Sequence, residues 1–512
     1  MASRSIGYRS APLLASAQLS LAAVMAAMTA LFALAAAYGA NSFAVGEIDV
    51  AWMIAGVLHG TLAHAPFTGP LHYGESFSFG YYALLYLLPP QVRADPAALA
   101  QAVNAIGLVS ITAALPLAWR YLVRLMDEQA AAFAVAVFFF SPLVLHASGS
   151  GHPLLLAFAL ALAGALALGR APIAGIALVA AALAVRAEVA LLLPFFALAE
   201  APLVRRSLQL GAALVLFFAL QRLFVLPAQA GPGSILTFIA GYYDWRLLPR
   251  GAALIVLGAG IATSAAAALA LVARRGAPLG RGGSLALAAL VLPSLLAWLP
   301  NPQPARHFFI VVLGMAIFLA WRVSSALPDR RALALVAVAL IVANQALAEA
   351  AYPLMVRWYD WAHPATQARR SVYWAPLGTF LRDAPARRRE QQSLYAEAQR
   401  VVQAARDVPR LLVLAHNDRY LVARFIADDP TLEPRVVERG GISYQELVSP
   451  SRRIAIARLW DRQPRESAVA LLKTGAFAGW QVYAQPASVG VLPASALAGH
   501  APLLGTGTEH GR

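Results

Sequence analysis

The sequence predicts an all-α polytopic membrane protein of about eleven transmembrane helices, followed by a small α/β domain on the outer side of the membrane. Three observations carry that expectation. Long apolar segments recur along the first 352 residues, arginines gather on alternate connections between them, and the composition turns polar and charged from about Arg369. Apolar residues make up 60% of the chain and charged ones 13%, with a mean hydropathy of +0.64. Soluble domains carry about 25% charged residues.

The apolar segments fall at 11–40, 99–120, 129–146, 153–169, 172–185, 188–203, 208–226, 251–273, 284–299, 307–321 and 332–352. The first follows Arg4 and Arg9 and is too long for the roughly 7–15-residue core of a signal peptide, so it reads as a retained helix with its N-terminus inside. Several of the others fall below the roughly 20 residues that cross the hydrocarbon, and 172–203 also reads as one broken unit. Alternation from an inside N-terminus gives cytoplasmic connections holding Arg4, Arg9, Arg120, Arg124, Arg170, Arg205, Arg206, Arg274, Arg275, Arg281, Arg322, Arg330 and Arg331. The outer loops before residue 353 hold chiefly Arg93, Arg246, Arg250 and Arg306. This distribution obeys the positive-inside rule and places the C-terminal part outside a bacterial cytoplasmic (inner) membrane. The expected division is a transmembrane domain at 1–352 with a long first outer loop at 41–98, an extracytoplasmic α/β domain at 353–500, and a disordered tail at 501–512.

Within the first outer loop, Ile48 to His59 is helix-like, and Phe77 to Leu88 is apolar, aromatic and too short to span. Both read as helices in the outer interface. The C-terminal domain offers a helix near 386–406 and strands near 410–417, 435–438, 452–460 and 479–484. It has no phosphate loop, nucleophile elbow or metal-ligand spacing. A net charge of +15 would suggest nucleic acid in a soluble protein. Here the arginines flank apolar segments, so the partner is the bilayer and its anionic headgroups, not nucleic acid. Thirty-nine of the forty basic residues are Arg, Lys473 being the exception, and the absence of cysteine removes thiolate sites and disulfides.

Up to Ala351 the chain carries only eleven Asp and Glu residues, and two of them, Glu47 and Asp49, follow the first span. Acids beside a bilayer are costly and need a reason. One reading is chemistry at the outer face; the other is that both favour the N-terminal end of the helix at 48–59 through its dipole.

The order of features resembles the GT-C superfamily of integral membrane glycosyltransferases, in particular the bacterial dolichyl-phosphate-mannose-type and aminoarabinose-type enzymes. The resemblance covers residues 11 to about 325. It rests on GEIDV (46–50) after the first span, PLHYGESFSFGYYALLYLL (70–88), the Arg-ended span through Arg120, SPLVLHASGSGHPLLL (141–156), the basic hinge AVRAEVALLLP (184–194) and NPQPARHFFIVV (301–312). It implies transfer of a sugar from a polyprenyl-phosphate donor, on the outer face, to a lipid, glycan or protein acceptor. An inverting transfer needs one general base and cationic or metal stabilisation of the departing phosphate. The resemblance assigns the base to Asp49, with Glu47 as its competitor, and the donor phosphate to Arg306 and Arg186 at outer span ends, where Arg forks onto phosphate. The bland alternatives are interface anchoring for Arg306 and a local ion pair with Glu188 for Arg186.

Relatives often carry an acid in the loop at 146–152, where this chain has His146 and His152. Those two histidines are candidates for acceptor or sugar contact, and for a divalent metal whose presence the sequence leaves open. Tyr73, Tyr242 and Asp244 are further candidates for sugar stacking and hydroxyl recognition, against an aromatic-belt role. Two other readings stay open. A transporter or flippase of lipid-linked glycans would want polar and ionisable groups near mid-span, and these are scarce: Gln221 and Arg222 lie toward an outer end, and Asn344, Gln345 and Glu349 fall in the last span. A catalytically inactive scaffold of the same fold is the other.

Overall fold

A computed structural model describes residues 57, 78–149, 151–200, 202–224, 245–272, 281–300, 305–327 and 329–362, together with five short strands between 410 and 493. The chain forms a multi-pass helical membrane bundle. Its described helices are α1 (Phe79–Tyr86), α2 (Pro90–Ala94), α3 (Pro96–Leu122), α4 (Glu128–Phe139), α5 (Pro142–Gly149), α6 (Leu154–Ala167) and α7 (Pro172–Val185). They continue with α8 (Leu193–Ala199), α9 (Leu203–Phe224), α10 (Leu248–Ala259), α11 (Ile261–Val272), α12 (Arg281–Trp298), α13 (Phe309–Ala326) and α14 (Arg330–Ala362). Short 3₁₀ segments at Ala187–Leu192, Trp245–Leu247 and Ala305–Phe308 precede α8, α10 and α13.

Among the described residues, four helices are by themselves long and apolar enough to cross a membrane, at Gln101–Leu122, Leu203–Phe224, Phe309–Ala326 and Arg330–Ala351. Their outward rows are greasy: on α9, Leu208, Val215 and Leu223 are each at least 70% exposed. Such rows have only lipid as a favourable solvent. The centre is packed by edge-to-face rings, Phe138 of α4 and Phe158 of α6 meeting Phe309 of α13 at centroid distances of 4.9 and 5.0 Å. Helices α6 and α7 form a tight hairpin. A Cβ on Gly164 would fall 2.7 Å from Val179 Cγ2, and one on Gly175 would fall 2.7 Å from the Leu168 amide nitrogen, so the two backbones touch only because both positions are glycine.

Three expected spans are broken, each for a local reason. The stretch 129–146 divides at Ser141–Pro142: proline has no N–H to continue α4, and the Ser141 hydroxyl accepts from the Val144 amide to start α5. The stretch 188–203 is a 3₁₀ segment running into the seven-residue α8, after an extended Arg186 that ends α7. The stretch 251–273 is bent by 105° at Gly260, whose φ of +95° suits only glycine. At this bend Asn344 of α14 replaces the lost helical bonds. Its Oδ1 accepts from the Thr263 amide at 3.1 Å, and its Nδ2 donates to Thr263 Oγ1 at 2.7 Å and to the Ala259 carbonyl at 3.5 Å.

Several of the rare acids prove to be structural. Asp127 caps α4 by accepting from the Gln129 and Ala130 amides, and Asp329 caps α14 by accepting from those of Arg331 and Ala332. Contacts also sort the helix ends into two sets. Arg124 reaches both Glu200 and the Leu166 carbonyl, Gln209 reaches the Leu168 carbonyl, and Arg322 reaches that of Ala270. These contacts join the arginine-rich connections at one end, as alternation requires.

The strands β1 (Arg410–Val413), β2 (Val436–Glu438), β3 (Ile454–Ala457), β4 (Gln481–Tyr483) and β5 (Val491–Pro493) form one sheet in the order β2-β1-β3-β4-β5. The first three pairings are parallel and β4–β5 is antiparallel. Four of the strands fall inside the stretches the sequence indicated; β5 was not anticipated. The first apolar segment, the helix near 386–406 and the tail at 501–512 lie outside the described residues.

Candidate functional site

At the end opposite the arginine-rich connections, the break at Arg186 is the organising feature. Helices α6 and α7 have 14 residues each, about 21 Å of rise, whereas α3 has 27 and α14 has 33. Measured from the end they share with α3, the short pair stops well short of a hydrocarbon layer of about 30 Å. The far ends of α6 and α7 therefore stop within the bundle, and Arg186, at the end of α7, is buried there.

Arg186 is buried, and its partners come from two directions. Its Nη2 donates to Glu188 Oε1 at 2.6 Å and its Nη1 to Ser78 Oγ at 3.3 Å. Ser78 arrives there because α1 docks on α7 through a glycine: a Cβ on Gly80 would fall 2.7 Å from the backbone carbon of Ala184. Phe79 anchors the same helix by stacking on Phe217 and Phe224 of α9 at 5.9 and 6.0 Å. The expected interfacial helix is thus more buried than a headgroup-level helix would be, with Tyr81, Tyr82 and Leu85 all within the protein.

Glu188 holds a second partner. His307 Nδ1 lies 3.0 Å from the same Oε1 oxygen. The imidazole is fixed by parallel stacking on Trp298, with centroids 3.8 Å apart and planes 9° from parallel. The backbone of the same turn is tied to α12, the His307 carbonyl accepting from Ser294 Oγ at 3.3 Å. Through Glu188 the structure joins the hinge at 186–188 to the turn Ala305–Phe308, which carries Arg306. The Arg306 side chain itself lies outside the described residues.

The turn at 151–153 closes a third side. Tyr81 donates its hydroxyl to the Gly151 carbonyl at 3.3 Å, and burial pushes its phenol well above the usual range, so that hydroxyl stays a donor. His152 is buried, and its Nδ1 accepts from the Leu154 amide at 3.1 Å. That bond holds the imidazole just ahead of α6, beside its first residue. Among the described residues no three His, Asp or Glu side chains are grouped to hold a metal. Glu188 and His307 are a pair at most, and that carboxylate already faces a guanidinium. Glu47, Asp49, Tyr73, Tyr242 and Asp244 lie outside the described residues, as does the side chain of His146. Sequence reasoning had singled out Arg186 and His152 but not Ser78, His307 or Trp298. The only available signal for His307 was its place beside Arg306.

Short helices packed between long ones, with broken spans among them, also occur in a solved membrane-protein structure. The crystal structure of ArnT from Cupriavidus metallidurans bound to undecaprenyl phosphate matches with a TM-score of 0.53 and 14% identity, over 88% of this chain and 94% of that one. The chain has the ArnT fold. The shared fold agrees with the multi-pass helical membrane architecture that the sequence predicts. No family model matches the chain, and no curated protein matches it in sequence.

Proposed function

We propose that this protein is an integral membrane glycosyltransferase that moves a sugar from a polyprenyl-phosphate donor to a lipid, glycan or protein acceptor at the outer face of the cytoplasmic membrane. The observation that carries the reading is the fold shared along nearly the full length of both chains with a protein crystallised with undecaprenyl phosphate. The buried guanidinium of Arg186 supports it, because a lipid phosphate held at a helix end inside the bundle needs a cation beside it. In this reading the acceptor oxygen attacks the anomeric carbon from the face opposite the phosphate. The bond from that carbon to the phosphate oxygen breaks, and polyprenyl phosphate leaves. Asp49, or Glu47 in its place, takes the proton of the acceptor hydroxyl. Arg186 and Arg306 meet the charge that develops on the leaving phosphate. Glu188 and His307 position Arg186 and the turn bearing Arg306. His146, Tyr73, Tyr242 and Asp244 belong to sugar or acceptor contact, and any divalent metal would be supplied by residues of the outer loops.

The test is release of labelled sugar from a polyprenyl-phosphate donor by protein reconstituted in liposomes. Asp49→Asn keeps the shape and removes the proton affinity, so turnover should fall by about 10²–10⁴, with Glu47→Gln less affected. If the order is reversed, Glu47 is the base. If both variants turn over at the native rate, the enzyme reading fails.

A further inference from the structure

The parallel part of the C-terminal sheet follows a doubly wound order. Strands β2, β1, β3 and β4 lie side by side and run the same way, with β5 antiparallel at the edge. The chain steps from β1 to one side for β2, then crosses to the other side for β3 and on to β4. The direction of winding therefore reverses between β1 and β3. Crossovers between parallel strands are right-handed in about 98% of cases, which sends the connections leaving β1 and β3 to opposite faces of the sheet. Such a reversal opens a crevice beyond the carboxyl ends of the two strands, and open α/β sheets bind their ligands there. The two ends are level in this sheet, Val413 pairing with Ala457, so neither strand overhangs the other.

The sequence supplies chemistry at both exits. Directly after Val413 it reads Leu-Ala-His-Asn-Asp (414–418), and directly after Ala457 it reads Arg-Leu-Trp-Asp (458–461). Consecutive Cα atoms are 3.8 Å apart, so His416 and Trp460 are tethered within about 11 Å of the paired strand ends. Neither exit contains glycine. The close backbone approach that a nucleotide pyrophosphate needs is therefore not provided, and Asp418 and Asp461 oppose an anionic group. A pyranose matches the set better. Tryptophan and histidine rings offer an apolar face to its C–H groups, carboxylates accept from its hydroxyls, and Asn417 and Arg458 donate to them.

We propose that the carboxyl edge of this sheet, between β1 and β3, binds a neutral hexopyranose unit, with Asn417 and Asp418 as its contacts from the β1 exit and Trp460 and Asp461 from the β3 exit. The site belongs to the sheet, not to the helical bundle, and does not rest on the glycosyltransferase reading.

The test uses full-length protein in a detergent without a sugar headgroup, observed by saturation-transfer difference NMR. The probes are the methyl α-pyranosides of glucose, mannose and galactose, with adenosine monophosphate as the anionic alternative. At least one pyranoside should receive saturation from the protein, and adenosine monophosphate should receive none. Asp418→Asn and Asp461→Asn keep the side-chain shape and remove the carboxylate, so each should weaken binding of that pyranoside about tenfold. Trp460→Ala should abolish it; if that variant does not fold, the two Asn variants decide. No transfer to any pyranoside, transfer to adenosine monophosphate alone, or undiminished transfer in both Asn variants would each overturn the proposal.

Discussion

Glu188 faces two partners through a single oxygen, with Arg186 at 2.6 Å and His307 at 3.0 Å, and all three side chains are largely withdrawn from the surface. Removing one member of such a buried pair leaves the other charge uncompensated, which costs about 3–5 kcal/mol. Glu188→Gln is therefore expected to lower the thermal unfolding midpoint of the detergent-solubilised protein markedly. Arg186→Lys keeps the charge but loses the fork that reaches Ser78 and Glu188 together. On the proposed function, Arg186→Lys and Arg306→Lys should each raise the KM for the polyprenyl-phosphate donor by a modest factor, and the Ala variants by more. A donor KM that is unmoved by changes at either position, measured at native stability, would reduce both to anchors and send the search for the phosphate site to Arg246 and Arg250.

The bend between α10 and α11 shows how one element depends on another. Within the bend Ser264 Oγ donates to the Val256 carbonyl at 3.3 Å, while the Thr263 amide and the Ala259 carbonyl are met by Asn344 from α14. A Cβ at Gly260 would lie 2.2 Å from Asn344 Cγ, on a backbone that L side chains rarely adopt. Gly260→Ala should thus be strongly destabilising, and Asn344→Leu should be so too, since it strands the Thr263 amide and the Ala259 carbonyl in an apolar setting where each costs several kcal/mol. The double variant Gly260→Ala with Asn344→Ala should lose less than the sum of the two single Ala changes, because the clash is then removed. Additive losses in thermal unfolding would show that the two residues do not act together. The same asparagine, counted from sequence as an ionisable-poor candidate for a transport path, is instead consumed by structure.

For the whole molecule, the arginine asymmetry and the sorting of helix ends by contact point the same way. Arg124, Arg206 and Arg322 make their contacts at one end, and Arg186 makes its contacts at the other. The proposed orientation puts the first of these ends in the cytoplasm. An alkaline phosphatase fusion after Arg369 should be active and one after Arg275 inactive in cells. The reverse pattern would invert the arrangement and, with it, the face assigned to donor chemistry.

The membrane class, the approximate limits of most spans, and the two-ended charge pattern were legible in the chain because they depend on local composition averaged over some twenty residues. So was the hinge at AVRAEV, where a single Arg interrupts an apolar run. The breaks at Ser141–Pro142 and Gly260 had signals of their own, a proline that cannot donate and a glycine among small residues, but neither states whether a helix bends or passes straight through. That choice was made by partners elsewhere in the chain, as Asn344 is for Gly260. The cluster around Arg186 is decided in the same way. Ser78, Glu188, Trp298 and His307 stand in four separate segments, and no periodicity relates them. They meet because Gly80 lets α1 reach α7, because α6 and α7 are short, and because stacking on Trp298 fixes the turn before α13. Sequence alone determines which segments leave water for lipid, since transfer free energy is a local property; which polar groups then face one another is settled only by packing, since buried charges must find partners wherever the fold brings them.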